Sequence, residues 1–316
     1  MRTLLLALLL CAAPAFAQYP VKPIRMIVPL VPGGNQDIVA RAVAEEVSKN
    51  LGQPVVVENR PGQSAIIGTQ FVKNSQPDGY TLLSVAVTFA RVPAVVKAAG
   101  YNAVTDFTGV SLVCRIPQVL VVHPAFPAKS VQELIAAAKA RPGEVSFGSS
   151  GDGSTGHVAA EMFMRMTGTR LLHVAYKGNA QALVDVMGGQ INMMFDQVST
   201  SGPQVKGGKV RALGVTTLSR TAVLPDVPSL HELGLTNFED VTWNGIVAPA
   251  ATPKEILNRL HGAIAKIMSN EEFKKRYLER GIELAASESP EQFSAYIRSQ
   301  AEGFADLVRE AGIKVE

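Results

Sequence analysis

Apolar and polar positions follow two alternating periods along this chain, and the period changes at glycine-rich turns. Ile24-Arg25-Met26-Ile27-Val28-Pro29-Leu30 reads as a strand entering the turn Pro32-Gly33-Gly34-Asn35-Gln36-Asp37. Beyond it Val39, Val43, Val47 and Leu51 recur four apart, as on one face of a helix, and Gly52 marks the end. Val55-Val56-Val57-Glu58, Thr81-Leu82-Leu83-Ser84-Val85 and Val119-Leu120-Val121-Val122 are further strands, with a helix predicted over 64–73. Val145-Ser146-Phe147 repeats the opening design, running through Gly148-Ser149-Ser150-Gly151-Asp152-Gly153-Ser154-Thr155-Gly156-His157 into another helix. This alternation predicts an α/β fold of parallel strands with right-handed crossovers.

Three helix starts are spelled out by capping boxes. Ser130 precedes Glu133, Thr252 precedes Pro253 and Glu255, and Ser289 precedes Pro290 and Gln292, which predicts helices near 131–140, 253–268 and 290–310.

The two glycine-rich turns share a physical consequence. A strand turning into a helix start presents backbone N–H groups without helical partners at the positive end of the helix dipole, where an anion is favoured. They lie about 118 residues apart, too far for a short repeat and suited to one cradle per domain. His123-Pro124 and Val241-Thr242-Trp243-Asn244-Gly245 are the predicted crossings. Residues 18–123 and 243–316 then form one lobe and 124–242 the other. A ligand is expected at the carboxyl ends of the strands, between the cradles.

The first residues change the compartment. Met1-Arg2-Thr3, the apolar run Leu4 to Ala13 and Ala15-Phe16-Ala17 read as a secretory signal over 1–17, cleaved before Gln18. Leu10 stands before Cys11 where a lipoprotein signal needs a small residue, so Cys11 is expected to leave with the signal. Later apolar runs fall short of the roughly 20 residues a membrane helix needs. Loss of Arg2 takes the net charge from +3 to +2. Mixed charges without a basic stripe argue against nucleic acid as a partner. Cys114, alone after cleavage and set in a strand, reads as a buried inert thiol.

Enzyme readings weaken on inspection. Gly151-Asp152-Gly153-Ser154-Thr155-Gly156 matches the dinucleotide fingerprint, but Leu171-Leu172-His173-Val174-Ala175 ends in Tyr176-Lys177 where an acidic residue is wanted. Gly148-Ser149-Ser150-Gly151-Asp152 lacks the last glycine of a nucleophile elbow. The five histidines show no H-x-x-x-H spacing, and neither metal nor cofactor is expected.

At this point several motifs carry a resemblance. Pro32-Gly33-Gly34-Asn35-Gln36-Asp37-Ile38-Val39-Ala40-Arg41, Val57-Glu58-Asn59-Arg60-Pro61-Gly62, Pro77-Asp78-Gly79-Tyr80, Tyr176-Lys177-Gly178, Phe195-Asp196 and Val247-Ala248-Pro249-Ala250-Ala251-Thr252-Pro253 resemble the Bug (TctC-like) family. Its members are periplasmic solute-binding proteins of tripartite tricarboxylate transporters. The resemblance implies a two-lobed clamshell, each lobe a mostly parallel sheet flanked by helices, that closes on a small organic, dicarboxylic or aromatic acid; a clamshell that must move is expected to work as a monomer. It implies delivery to integral-membrane transporter subunits in the periplasm, with service to a sensor as the alternative.

Carried across by motif, the implied contacts are Gly33, Gly34, Asn35, Gln36, Asp37, Ala86, Val87 and Thr88 from one lobe. Ser150, Ser154, Thr155, His157, Tyr176 and Asp196 are those from the other. Asn35-Gln36 departs from the smaller residues of the family, and two amides there are expected to narrow the cleft and add donors and acceptors. Duller roles stand beside these. Asp37 has the spacing to cap its helix or pair with Arg41, His157 to cap or pack, and Asp196 to orient loops; Lys177 suits a solvated turn and Trp243 packing at the crossing. The hydroxyls of Ser154 and Thr155, beside a helix start, suit an oxyanion best.

Overall fold

A computed structural model describes residues 19–311 except Gln63, Ser64, Asp152 and Lys177. The predicted signal at 1–17, with Cys11, lies outside the described residues. The chain first lays down β1 (Ile24–Val28), α1 (Asn35–Leu51), β2 (Val55–Asn59), α2 (Ile66–Lys73), β3 (Thr81–Ala86) and α3 (Val87–Val95). The long strand β4 (Phe107–Val122) carries it into α4 (Val131–Ala140), β5 (Ser146–Ser149), α5 (Thr155–Thr167), β6 (Leu172–Ala175) and α6 (Asn179–Met187). There follow β7 (Met193–Gln197), α7 (Val198–Lys206) and β8 (Arg211–Val215). It returns through β9 (Val241–Pro249) to α8 (Lys254–Met268), α9 (Glu271–Leu278), β10 (Glu283–Leu284) and α10 (Pro290–Ala311).

The strands run β2-β1-β3-β9-β4-β7-β5-β6, with β8 and β10 also paired to β4. Pairs β1/β2, β1/β3, β5/β6 and β5/β7 are parallel, as the alternation predicts. The strands that run out and back between the lobes are antiparallel, so the mostly parallel picture gives way to mixed sheets at the junction. Val119–Val122 is therefore the end of a 16-residue strand rather than a parallel strand of its own. β4 pairs with β9 as far as Pro117↔Val241, and from Gln118↔Gln197 onward it pairs with β7. Pro117, which has no N–H to donate, stands where β4 changes partners.

Each lobe is cored on both faces of its sheet. In β1, Ile24, Met26 and Val28 pack with α1 and α8 through Val39, Val43, Leu260 and Ile264, while Ile27 faces Phe89, Trp243 and Phe293. The period of two in a strand against 3.6 in a helix produces this division. β7 divides the same way, with Met193 and Phe195 on one face and Met194 on the other. Burying such an aliphatic or aromatic side chain contributes about 1.5–3 kcal/mol. Trp243 is fully buried, edge-on to Phe293 and Tyr296. Cys114 is fully buried too, and burial pushes its thiol up to about 12, which keeps it protonated.

Two predicted caps form: Ser130 accepts the Glu133 N–H (3.1 Å) and Ser289 that of Gln292 (3.1 Å). The third does not. Pro253 takes the cap position of α8, and Thr252 donates instead to the Pro249 carbonyl (2.7 Å).

Candidate functional site

The first cradle joins β1 to α1. Gly33 lies at φ +88°, a left-handed conformation open to glycine, and Gly34 caps α1 with extended backbone and no side-chain bond. The carboxylate of Asp37 accepts from the Gly33 N–H (3.0 Å), Arg41 Nε (3.0 Å) and Asn59 Nδ2 (2.9 Å). The Arg41 guanidinium, aided by Gly33 and Asn59, outweighs burial and lowers the Asp37 pKa to about 2. Asp37 thus fastens the turn to its helix, in the pairing its spacing with Arg41 predicts.

Asn35 and Gln36 part company. Asn35 is exposed, and its Nδ2 donates to Gln197 Oε1 of the other lobe (3.1 Å). Gln36 is 5% exposed and turns inward, its Nε2 donating to the Ser84 carbonyl (2.7 Å). The expectation that both amides narrow the cleft is corrected here. Gln36 lies three and seven residues ahead of Val39 and Val43, on the buried face of α1. Beside this cradle, Ala86 caps α3 with no side-chain bond, Thr88 is exposed, and the Val87 side chain is buried in the core. Val87 has therefore only its backbone to offer a ligand.

The second cradle joins β5 to α5 through Gly151 (φ +109°) and Gly153 (φ +73°). Ser150 is exposed; Ser154 caps the helix, accepting the His157 N–H at 3.4 Å. Thr155 opens the first turn, and its Oγ1 accepts from Thr242 Oγ1 (3.4 Å). His157 is buried, and its Nδ1 accepts the Gly153 N–H (3.0 Å). Its ring stacks on His173 (4.4 Å), which stacks in turn on Phe147 (4.7 Å). This fixes the turn from below. Gly156 has a different reason to be glycine, since a Cβ there would meet the Phe195 carbonyl oxygen at 2.6 Å.

Tyr176 donates its hydroxyl to Asp185 (2.6 Å), and burial together with that carboxylate pushes its pKa up to about 12. Lys177 and Asp152 lie outside the described residues. Asp196 is fully buried: Oδ2 accepts from Thr200 Oγ1 (2.5 Å) and Ser201 Oγ (2.6 Å), and Oδ1 from Asn179 Nδ2 (3.0 Å). Burial raises its pKa despite these donors.

Sequence reasoning missed three participants. Gln197 caps α7 and takes the bond from Asn35; Thr242 of β9 links Gln197 (3.5 Å) to Thr155; Asn179 opens α6 against Asp196. For Gln197 the available signal was its place at the end of a strand after Asp196.

These bonds bring the N-termini of α1, α3, α5 and α7 together, β9 tying them by Ala86↔Asn244 beside Thr242. No side-chain cap occupies α1, α3 or α7, and the first turns of α3, α5 and α7 hold no acid. Elsewhere α4, α9 and α10 begin with a capping Ser130, Asn270 or Ser289 followed by acids. The starts of α3 and α7 thus carry neither a side-chain cap nor an acid, like those of α2 and α6, while α5 is capped by Ser154 and α1 holds Asp37 in its first turn. Among the described residues no group of three His, Cys, Asp or Glu is placed to hold a metal ion. A cavity of about 290 Å³ between α5 and α10, lined by Arg91, Met162, Asp240 and Phe304 among others, includes none of the predicted contacts.

The family model for the tripartite tricarboxylate transporter family receptor matches residues 39–313. BugT of Bordetella pertussis is 35% identical over 312 residues, 96% of this chain and 94% of its own. An R. palustris protein solved with adipate superposes with a TM-score of 0.77 at 32% identity, covering 94% of this chain and 99% of that one. MatC from Rhodopseudomonas palustris, solved with bound malate, gives 0.73 at 28% identity, over 92% and 100%.

Proposed function

Since the chain belongs to the tripartite tricarboxylate transporter receptor family, a family of receptors and not of enzymes, we propose that it captures a small carboxylate between its lobes. It works as a periplasmic monomer and hands the acid to the membrane subunits of a tripartite transporter. The observation that carries this reading is the convergence of four helix N-termini, three of them without side-chain caps. Each offers backbone N–H groups and a positive dipole end to a carboxylate without a lysine or arginine. The acids held by the adipate and malate structures support it.

In this reading Gly33, Gly34, Asn35, Ala86, Val87 and Thr88 approach the anion from one lobe, and Ser150, Ser154, Thr155 and Gln197 from the other. Gln36, Asp37, His157, Tyr176 and Asp196 act as positioning residues, since their polar atoms are already bonded within their own lobes. Closure bends the strands where β4 changes partners, between Pro117 and Gln118, and at Val241, so the hinge lies before His123-Pro124. The Asn35–Gln197 bond then closes the mouth.

A thermal-shift screen of succinate, malate, adipate, citrate and benzoate tests it, because a ligand that binds only the native state raises the melting temperature. At least one acid is expected to do so and to compact the protein in X-ray scattering. Thr155→Val should weaken that acid about tenfold or more by titration calorimetry, the size of a lost bond to a charged group. No shift with any acid overturns the reading.

A further inference from the structure

The cavity between α5 and α10 contains none of the residues assigned to the carboxylate, yet a buried charge on its wall is only partly satisfied. Arg91 is 6% exposed, and its Nη2 pairs with Asp240 (2.7 Å). Its Nε and Nη1 are buried and have no hydrogen-bond partner among the described residues. The guanidinium itself lies at the cavity wall, because its neighbours Asp240 and Phe304, the latter 5.4 Å from its central carbon, line the same space. A buried donor left unmet is costly, so two such donors beside an open volume mark a place for an acceptor.

The charge of that acceptor follows from the pairs around it. Arg91 faces Asp240, Arg165 faces Glu310 and Glu239 faces Arg115, so each charged residue lining the cavity already has its counterion. A further carboxylate would enter beside Asp240 and Glu239 with no cation left to balance it, which a partly buried site penalises. Much of the remaining wall is apolar, with Val158, Met162, Met166 and Leu307 beside Phe304. Its volume of about 290 Å³ stands near the lower end for small-molecule sites, about 300–1,000 Å³. We propose that this cavity is a second binding site, for a small uncharged molecule with an apolar body and a carbonyl-type acceptor that meets Arg91. Because α5 belongs to one lobe and α3 and α10 to the other, its guest touches both. The inference stands independently of the carboxylate reading.

Acetophenone and ethylbenzene have nearly the same shape and differ by one carbonyl, so saturation-transfer NMR titrations of the two on the full chain isolate the acceptor. Acetophenone should bind roughly tenfold tighter or more, the scale of a hydrogen bond to a charged group. Gly303 lines the cavity from α10, and a Cβ there meets nothing within 4 Å, so Gly303→Leu occupies the space without touching the Arg91–Asp240 pair. That variant should lose acetophenone. Arg91→Met combined with Asp240→Asn removes the donors without stranding a charge, and it should erase the advantage over ethylbenzene. Equal affinities in the native protein, an advantage that survives the double variant, or binding that survives Gly303→Leu overturns the inference. So does a native protein that binds neither compound. Benzoate that binds more tightly than acetophenone and is lost in Gly303→Leu overturns the uncharged class. Should either variant not fold, the native comparison and the other variant decide.

Discussion

Asp37 shows how a charged residue can serve an anion site without facing the anion. Its oxygens hold Gly33, Arg41 and Asn59, and the native pKa near 2 lies below the ordinary value of 3.8. A carboxylate lowered on folding stabilises the protein above its unfolded pKa, and that contribution is lost as pH falls from about 4 through about 2. Denaturant titrations between pH 5 and pH 2 should show this loss, on the order of 1–2 kcal/mol, in the native chain and not in Asp37→Asn. Parallel curves for the two proteins would remove Asp37 from its bracing role. The Asp37–Arg41 pair was legible because a spacing of four on a helix dictates it. Gln36 could have been placed by extending the Val39-Val43-Val47 stripe back one turn. Gln197 had only its place at a strand end after Asp196 to mark it, and Thr242 and Asn179 had no such signal, since no local period records which strand and helix ends meet across two lobes.

Among the elements, α5 depends on close approach. Gly156 brings its first turn against β7, and the Cβ of Gly156→Ala would lie 2.6 Å from the Phe195 carbonyl oxygen, a backbone atom with little freedom to move. The helix must shift, taking Ser154 and Thr155 with it. We expect a stability loss of roughly 1–3 kcal/mol, typical of overpacking, together with weaker ligand binding, both read from thermal melts and calorimetry of Gly156→Ala. Native melting with native affinity would show that this contact does not position the cradle. Helices with a capping residue at the true boundary were legible to within a residue, as at α4 and α10. The box at Thr252 also gave its helix to within a residue, but Pro253 takes the cap. β4 was only partly visible, since Gly109, Ser111, Arg115 and Gln118 interrupt its apolar run and its register shifts beside Ser111 and Cys114.

For the whole molecule, the junction between lobes is held by charge as well as by strands. Arg91 of α3 pairs with Asp240 ahead of β9 (2.7 Å), and Gln118 of β4 donates to the other Asp240 oxygen (2.7 Å). Burial raises the Asp240 pKa while Arg91 opposes it. Removing one member leaves a buried charge unpaired, so Asp240→Ala should destabilise the protein by about 3–5 kcal/mol in urea unfolding. A change below about 1 kcal/mol, the range of exposed pairs, would show that water already screens it. α10 adds a second tie, with Phe304 and Leu307 packed on Val158 of α5. The sharing of β4 has one more consequence. Because a single strand is hydrogen-bonded into both sheets, neither lobe is a transplantable module: a cut that frees one strips the other of a pairing strand and bares a sticky edge.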